Sequence, residues 1–217
     1  MKINGDIDGF ILAGGASSRM GRPKSELVLG DRSLVERAVL TMSELTGERV
    51  TIVGNDVSAG SDGARIKVIA DLASEPDAHG HERRAPIFGL CTALSVATTE
   101  WIAVLAVDLP FVRAELLARL ASFRSEDIDA VVPVQADGRL QPLCAIYRRD
   151  GCLEAARAAI ANGEFSLHKL PGGLRVRRVE QSELADLPGA ENFFFNVNTP
   201  TDLEAAAKLA ETNRVVL

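Results

Sequence analysis

A chain of 217 residues, 47% apolar and 25% charged, has the length of one large globular domain and can bury a core without disulfides or a structural metal. Its formal net charge of −6 excludes a protein that coats nucleic acid, which needs a broad basic face, so any anion site has to be local. Cys91, Cys144 and Cys152 show neither CxxC spacing nor a histidine array and read as free thiols of a reducing cytoplasm; no segment has the order of a signal peptide or the roughly 20 apolar residues of a membrane span.

In chain order, "GFILAG" (9–14) reads as a buried strand that opens into a loop. "SLVERAVLTMSEL" then starts a helix, with Ser33 three residues before Glu36 as a capping box and Val35, Val39, Met42 and Leu45 on one face. "RVTIVG" (49–54) and "IKVIAD" (66–71) are two further strands, and the polar "SEPDAHGHERR" (74–84) is a loop. "APIFGLCTALSVA" is a helix with Leu90, Leu94 and Ala97 on one stripe. After it come the strand "WIAVLAVD" (101–108) and a helix, "RAELLARLASF", facing inward through Leu116, Leu117 and Leu120. "DAVVPV" (129–134) and "PLCAIY" (142–147) complete the strands. The stretch from Pro171 to Asn192 gives no clear pattern, and the last helix starts at "NTPTDLEAAAKLA", with Thr199 as cap, Pro200 in the first turn and Asp202 at the positive helix end. Strands with consecutive apolar residues suit a parallel sheet covered on both faces, and their alternation with helices predicts a single α/β domain over 1–217.

Two features carry chemistry. The first strand ends at Leu12, Ala13, Gly14 and Gly15, the end where open α/β sheets form a ligand crevice, and bare glycine backbone lets N–H groups approach an anion. Arg19, Arg22 and Lys24 follow within six positions of an otherwise acidic chain, which points to a phosphate-bearing ligand. The P-loop spacing fails, because Gly15 and Gly21 enclose five residues and Arg-Pro-Lys follows; G-x-G-x-x-G is also missing. The second feature is Asp108, at the end of the apolar run "IAVLAVDLP". A carboxylate there has to be paired or bound to a cation. Next to the glycine loop it can hold Mg²⁺ against bound phosphates, and it can equally act as a turn or cap residue.

The order LAGGxSSRMGxxK, a strand-terminal Asp-Leu-Pro, a P-x-x-G-L helix entry and "FNVNTPTDL" resembles the molybdenum cofactor guanylyltransferases over about Gly9 to Leu209. The first signature marks the wider nucleotidyltransferase group; the Asn-Val-Asn-Thr-Pro segment points to the molybdopterin enzymes. The resemblance implies a Rossmann-like, three-layer fold with a mostly parallel central sheet. It also implies transfer of GMP from GTP to molybdopterin, with pyrophosphate released.

It further implies that Leu12, Ala13 and Gly14 carry GTP on their backbone, with Gly15 keeping the approach open. Arg19 and Lys24 would meet the triphosphate, Lys24 as the first catalytic candidate, and Asp108 would hold Mg²⁺. Asn55 and Asp71, each ending a strand, fall where the family contacts GTP, although Asn and Asp are also good turn formers. Gly89 would let a helix start close to the nucleotide. Asn196 and Asn198 alternate on one face of an extended segment and would address the pterin.

Apo-molybdoenzymes and molybdopterin-handling proteins are the implied transient partners of a cytoplasmic monomer or weak homo-oligomer. The chain departs from the family at Ala85-Pro86-Ile87-Phe88-Gly89, where relatives often carry Gly-Pro-Leu-Ala-Gly, in the insert with His79, His81, Arg83 and Arg84, and at Val107, usually Cys. His79-x-His81 lacks a third ligand in register and reads as part of a polar loop, and His168 reads as an ordinary, partly buried side chain. The rivals are a cytidylyltransferase for the same pterin, a sugar-phosphate nucleotidyltransferase, and a nucleotide-binding adaptor without turnover.

Overall fold

The protein is described by a computed structural model for residues 6–14, 26–54, 66–71, 85–169 and 173–214. β1 (Ile7–Leu12) is buried along its whole length. The small antiparallel hairpin of β2 (Val28–Leu29) and β3 (Arg32–Ser33) leads into α1 (Leu34–Thr46). Ser33 caps that helix as its sequence requires: the Glu36 N–H donates to Ser33 Oγ at 3.2 Å, and Ser33 N–H donates to the Glu36 carboxylate at 2.7 Å. Gly47, at φ 68°, supplies the positive φ at which the helix ends.

Strands β4 (Val50–Val53) and β5 (Lys67–Ile69) follow, then α2 (Pro86–Val96), β6 (Trp101–Ala106), α3 (Ala114–Ser122) and β7 (Ala130–Pro133). The chain continues with β8 (Cys144–Arg148), α4 (Arg149–Ala161), β9 (Val176–Val179) and α5 (Pro200–Arg214). Among the described residues these strands build a seven-stranded sheet in the order β5-β4-β1-β6-β8-β7-β9. The pairings β5–β4, β4–β1, β1–β6 and β7–β9 are parallel, so the sheet is mostly parallel.

The strand read at 142–147 breaks that pattern, because β8 runs antiparallel to both β6 and β7. The link from β7 to β8 spans residues 134–143 and turns at Gly138, φ 80°. That is too short for the crossover of roughly a dozen or more residues that a parallel return requires.

Helices cover both faces. Ile7, Ile11, Leu105, Val131 and Ile146 pack beneath α1, α3 and the Ala206 side of α5, while Phe10, Leu12, Val104, Val132 and Tyr147 pack against α2 and α4. One strand therefore feeds two cores through its alternating side chains. Gly9 faces α1 so closely that a Cβ there would lie 2.4 Å from Met42 Cγ. The edge strand β9 is guarded by charge: Arg175 pairs with Asp129, and Arg177 pairs with Glu183 while its guanidinium sits 4.7 Å from the Phe123 ring centre. Among the described residues no helix is long and apolar enough to cross a membrane.

Candidate active site

From β1 the sheet grows outward through β4 and β5, and the chain then returns to place β6 on the other side of β1. That reversal opens a crevice at the carboxyl ends of β1 and β6. The turn leaving β1 is fixed from both sides. Ala13 N–H donates to Val53 C=O at 2.9 Å, and Val107 N–H donates to Leu12 C=O at 3.1 Å.

Asp71 follows β5 and reaches toward this turn. Its Oδ2 lies 3.6 Å from where a Cβ on Gly14 would sit and 3.7 Å from the same point on Gly89, and the Gly89 point is also 3.5 Å from both Leu12 methyl groups. A Cβ at either position would make ordinary van der Waals contact with the carboxylate, so both glycines border it directly. Thr92, one turn along α2 from Phe88, donates from Oγ1 toward Asp71 Oδ1 at 3.2 Å. Asp71 and Gly89, singled out apart from the Leu12–Gly14 turn in sequence, thus share one corner of the fold with it.

The other half of the site lies at the end of β6. The Asp108 carbonyl accepts a hydrogen bond from Val197 N–H at 2.9 Å. This ties the segment before α5 to that strand end. Val197 is buried while Asn196 and Asn198 are exposed, so the alternation expected of the asparagine pair is present. The start of α5 is a reciprocal cap in which Thr199 Oγ1 accepts from Asp202 N–H, and the Asp202 carboxylate accepts from the N–H groups of Asn198 and Thr199 at 2.9 and 2.8 Å. The Val107–Leu12 bond joins the two halves.

Gly15, Arg19, Lys24 and Asn55 lie outside the described residues, as do Arg22, His79, His81, Arg83 and Arg84. His168 is exposed in the turn after α4 instead of partly buried, because Leu167 beside it takes the inward position. The sequence reading missed Thr92 and the bond between Val197 and Asp108. Thr92 left a faint signal, a hydroxyl in a helical turn that is otherwise apolar and buried.

The thiols offer no nucleophile. Burial pushes Cys91 above its ordinary pKa, with Arg157 opposing and the Asp71 charge reinforcing the shift; burial raises Cys144, and pushes Cys152 up to about 12. All three are free and buried. Among the described residues no group of three or more His, Cys, Asp and Glu side chains forms a metal cage. Mg²⁺ needs only one or two carboxylates when phosphate oxygens and water complete its shell, and Asp108, a half-buried residue whose carboxyl Oδ1 is itself buried, fits that role.

The model of the MobA-like NTP transferase domain matches residues 9–177. The chain belongs to this family. A protein of Pelotomaculum thermopropionicum named probable molybdenum cofactor guanylyltransferase is 34% identical over 95% of this chain and 94% of its own. A molybdenum cofactor guanylyltransferase of Desulfosudis oleivorans is 27% identical over 96% and 98%. In fold, the chain is similar to the crystal structure of molybdopterin-guanine dinucleotide biosynthesis protein A from Archaeoglobus fulgidus, with a TM-score of 0.74 and 24% identity over 95% of this chain and 100% of that one. It is likewise similar to 2-C-methyl-D-erythritol 4-phosphate cytidylyltransferase from Thermus thermophilus, with a TM-score of 0.67 and 21% identity over 95% and 100%. The chain is a nucleotidyltransferase with the Rossmann-like fold of these neighbours. The family match ends at residue 177, so the asparagine pair lies beyond it, within the reach of the full-length relatives.

Proposed function

We propose that the protein transfers GMP from GTP to molybdopterin, forming the guanine dinucleotide cofactor and releasing pyrophosphate. The names of its full-length relatives support the reaction. The observation that carries it is the Val197–Asp108 hydrogen bond, which seats the asparagine pair against the strand next to the one bearing the Leu12–Gly14 turn. A face suited to a pterin and a face suited to a nucleotide then meet along one crevice.

The chemistry is in-line displacement at the α-phosphorus of GTP. An oxygen of the molybdopterin phosphate forms the new P–O bond as the bond to the β-phosphate oxygen breaks, so positioning and charge neutralisation are what the protein has to supply. The backbone of Leu12, Ala13 and Gly14 carries GTP, with Gly15 keeping access, on a turn that the Ala13–Val53 and Val107–Leu12 hydrogen bonds hold in place. Asp71 reads the base, and two acceptors, a carbonyl and a carboxylate, suit the N–H donors on the guanine edge better than the cytosine edge. Asn55 completes the nucleotide contacts. Arg19 and Lys24 hold the triphosphate, and Lys24 stabilises the charge that builds on the leaving pyrophosphate. Asp108 would hold Mg²⁺, which supplies positive charge to phosphate oxygens when bound. Asn196 and Asn198 hydrogen-bond the pterin. The enzyme works in the cytoplasm as a monomer or weak homo-oligomer, in transient contact with molybdopterin-handling proteins and apo-molybdoenzymes.

Calorimetric titration with GTP, CTP, ATP and UTP, with and without Mg²⁺, tests this reading. Selective GTP binding strengthened by Mg²⁺ is expected, and Lys24→Ala and Asp108→Ala should each abolish transfer while leaving the fold intact. A preference for CTP would move the protein to the cytidylyl reaction, and transfer unchanged in either variant would remove that residue from the mechanism.

A further inference from the structure

We infer that Thr92 is a positioning residue for the nucleotide, its hydroxyl holding the Asp71 carboxylate so that Oδ2 faces the corner bordered by Gly14 and Gly89. The inference rests on the reading of Asp71 as a nucleotide contact and extends it to a residue without a ligand contact of its own.

Three observations meet at this point. Thr92 is 5% exposed, which leaves its hydroxyl dependent on protein partners. Its Oγ1 lies within reach of two acceptors, Asp71 Oδ1 at 3.2 Å and the Phe88 carbonyl at 2.9 Å, yet a hydroxyl has a single proton to donate. Asp71 Oδ2, the other oxygen of the same carboxyl, is the atom that lies near the glycine positions.

Donation to a carboxylate is the stronger of the two choices, because a charged acceptor roughly doubles the strength of a hydrogen bond. The bond back to the i−4 carbonyl is a weak local alternative that helical Thr residues commonly make. The hydroxyl is therefore a donor with two settings. In one it fixes Oδ1, and with it the rotation of the whole carboxyl. In the other it returns to Phe88 and leaves that rotation to other contacts. A ligand that places N–H donors on Oδ2 gains from a carboxyl already turned toward it, since the ordering does not have to be met on binding. Thr92 sits on α2 and Asp71 after β5, so the bond also fixes the strand end relative to the helix that enters the crevice.

The test uses the full chain and GTP with Mg²⁺ as the probe. Thr92→Val keeps the branched shape and removes the donor; Thr92→Ser keeps the donor and removes a methyl group. Thr92→Val is expected to weaken GTP binding about 10-fold or more, the lower end of the range for losing one hydrogen bond to a charged group. Thr92→Ser should stay within about threefold of wild type in binding although its packing is poorer. In an Asp71→Ala background the Val substitution should have no further effect on binding, because its route to the ligand is gone. Binding by Thr92→Val equal to wild type would overturn the inference, as would equal losses for Val and Ser or a full Val effect without Asp71. A wild-type protein that binds no nucleotide would bring down the functional reading itself, and this inference with it.

Discussion

The carboxylate of Asp8 lies at the opposite end of β1 from the crevice, and its removal separates stability from binding. Asp8 is 8% exposed. It accepts from Thr98 N–H at 2.6 Å, Thr98 Oγ1 at 2.9 Å and Thr99 N–H at 3.1 Å, and Arg49 stands 3.4 Å away. Together these contacts pin the loop between α2 and β6. Burial, the largest single influence, pushes the Asp8 pKa up, but the donors of Thr98, Thr99 and Arg49 together outweigh it and hold the group below its ordinary value.

Hydrogen bonds to a charged group contribute roughly 1.5 to 3 kcal/mol each, and losing part of the set is offset by releasing a buried charge to water. Asp8→Asn is therefore expected to lower unfolding free energy by about 2 to 4 kcal/mol at pH 7. A depressed folded-state pKa contributes stability that is fully present above the unfolded value, near 3.9, and is lost as pH falls through the folded value. Urea unfolding from pH 7 down to about pH 2.5 should show the gap between wild type and variant narrowing through the acid range. GTP affinity should not change, because roughly 20 Å of strand separates position 8 from the turn at Gly14. A gap independent of pH, or one below about 0.5 kcal/mol, would refute the reasoning.

Gly9→Ala should destabilise by about 1 to 3 kcal/mol through overpacking against Met42, and combining it with Met42→Ala should cost less than the two singles added, which unfolding curves of the three variants can check. Asp202→Ala should raise the KM for the molybdopterin acceptor while leaving the GTP Kd unchanged, because the carboxylate that accepts from Asn198 N–H is lost on the acceptor side alone. A thiol reagent should label Cys91, Cys144 and Cys152 only on unfolding, given their burial; fast reaction of the native protein would contradict it.

What the sequence revealed depended on whether the signal was local. Ser33 and Glu36 are three residues apart and their capping box is present in the fold. The run from Trp101 to Ala106 is buried throughout, as a strand covered on both faces has to be. The helix α4 escaped notice because Cys152 and Ala156, its fully buried residues, are small and draw no apolar stripe. Strand β9 mixes Val176 and Val179 with two arginines, and its pattern reads as polar until Glu183 and Phe123 are seen to hold Arg177 and Asp129 to hold its neighbour Arg175. The partnership of Thr92 with Asp71 spans 21 positions and leaves no periodic trace. The candidate residues Asp71 and Asp108 stood out in the sequence because each is a polar residue that stops an apolar run.

Asp108 divides its roles between backbone and side chain. Its carbonyl accepts from Val197 N–H and so locates Asn196 and Asn198; its carboxyl takes no part in that bond and is the group assigned to Mg²⁺. The two halves of the proposed reaction can therefore be broken one at a time. Asp108→Ala keeps the carbonyl and the asparagine segment, so it should abolish the strengthening of GTP binding by Mg²⁺ while leaving acceptor binding intact. Val197→Pro removes the N–H and frees the segment from β6, so it should weaken acceptor binding at least tenfold with Mg²⁺-dependent GTP binding retained. Circular dichroism would establish that both variants are folded before titration. If the two variants lost the same function, the strand end would be one indivisible support, and the division between a nucleotide face and a pterin face would have to be abandoned.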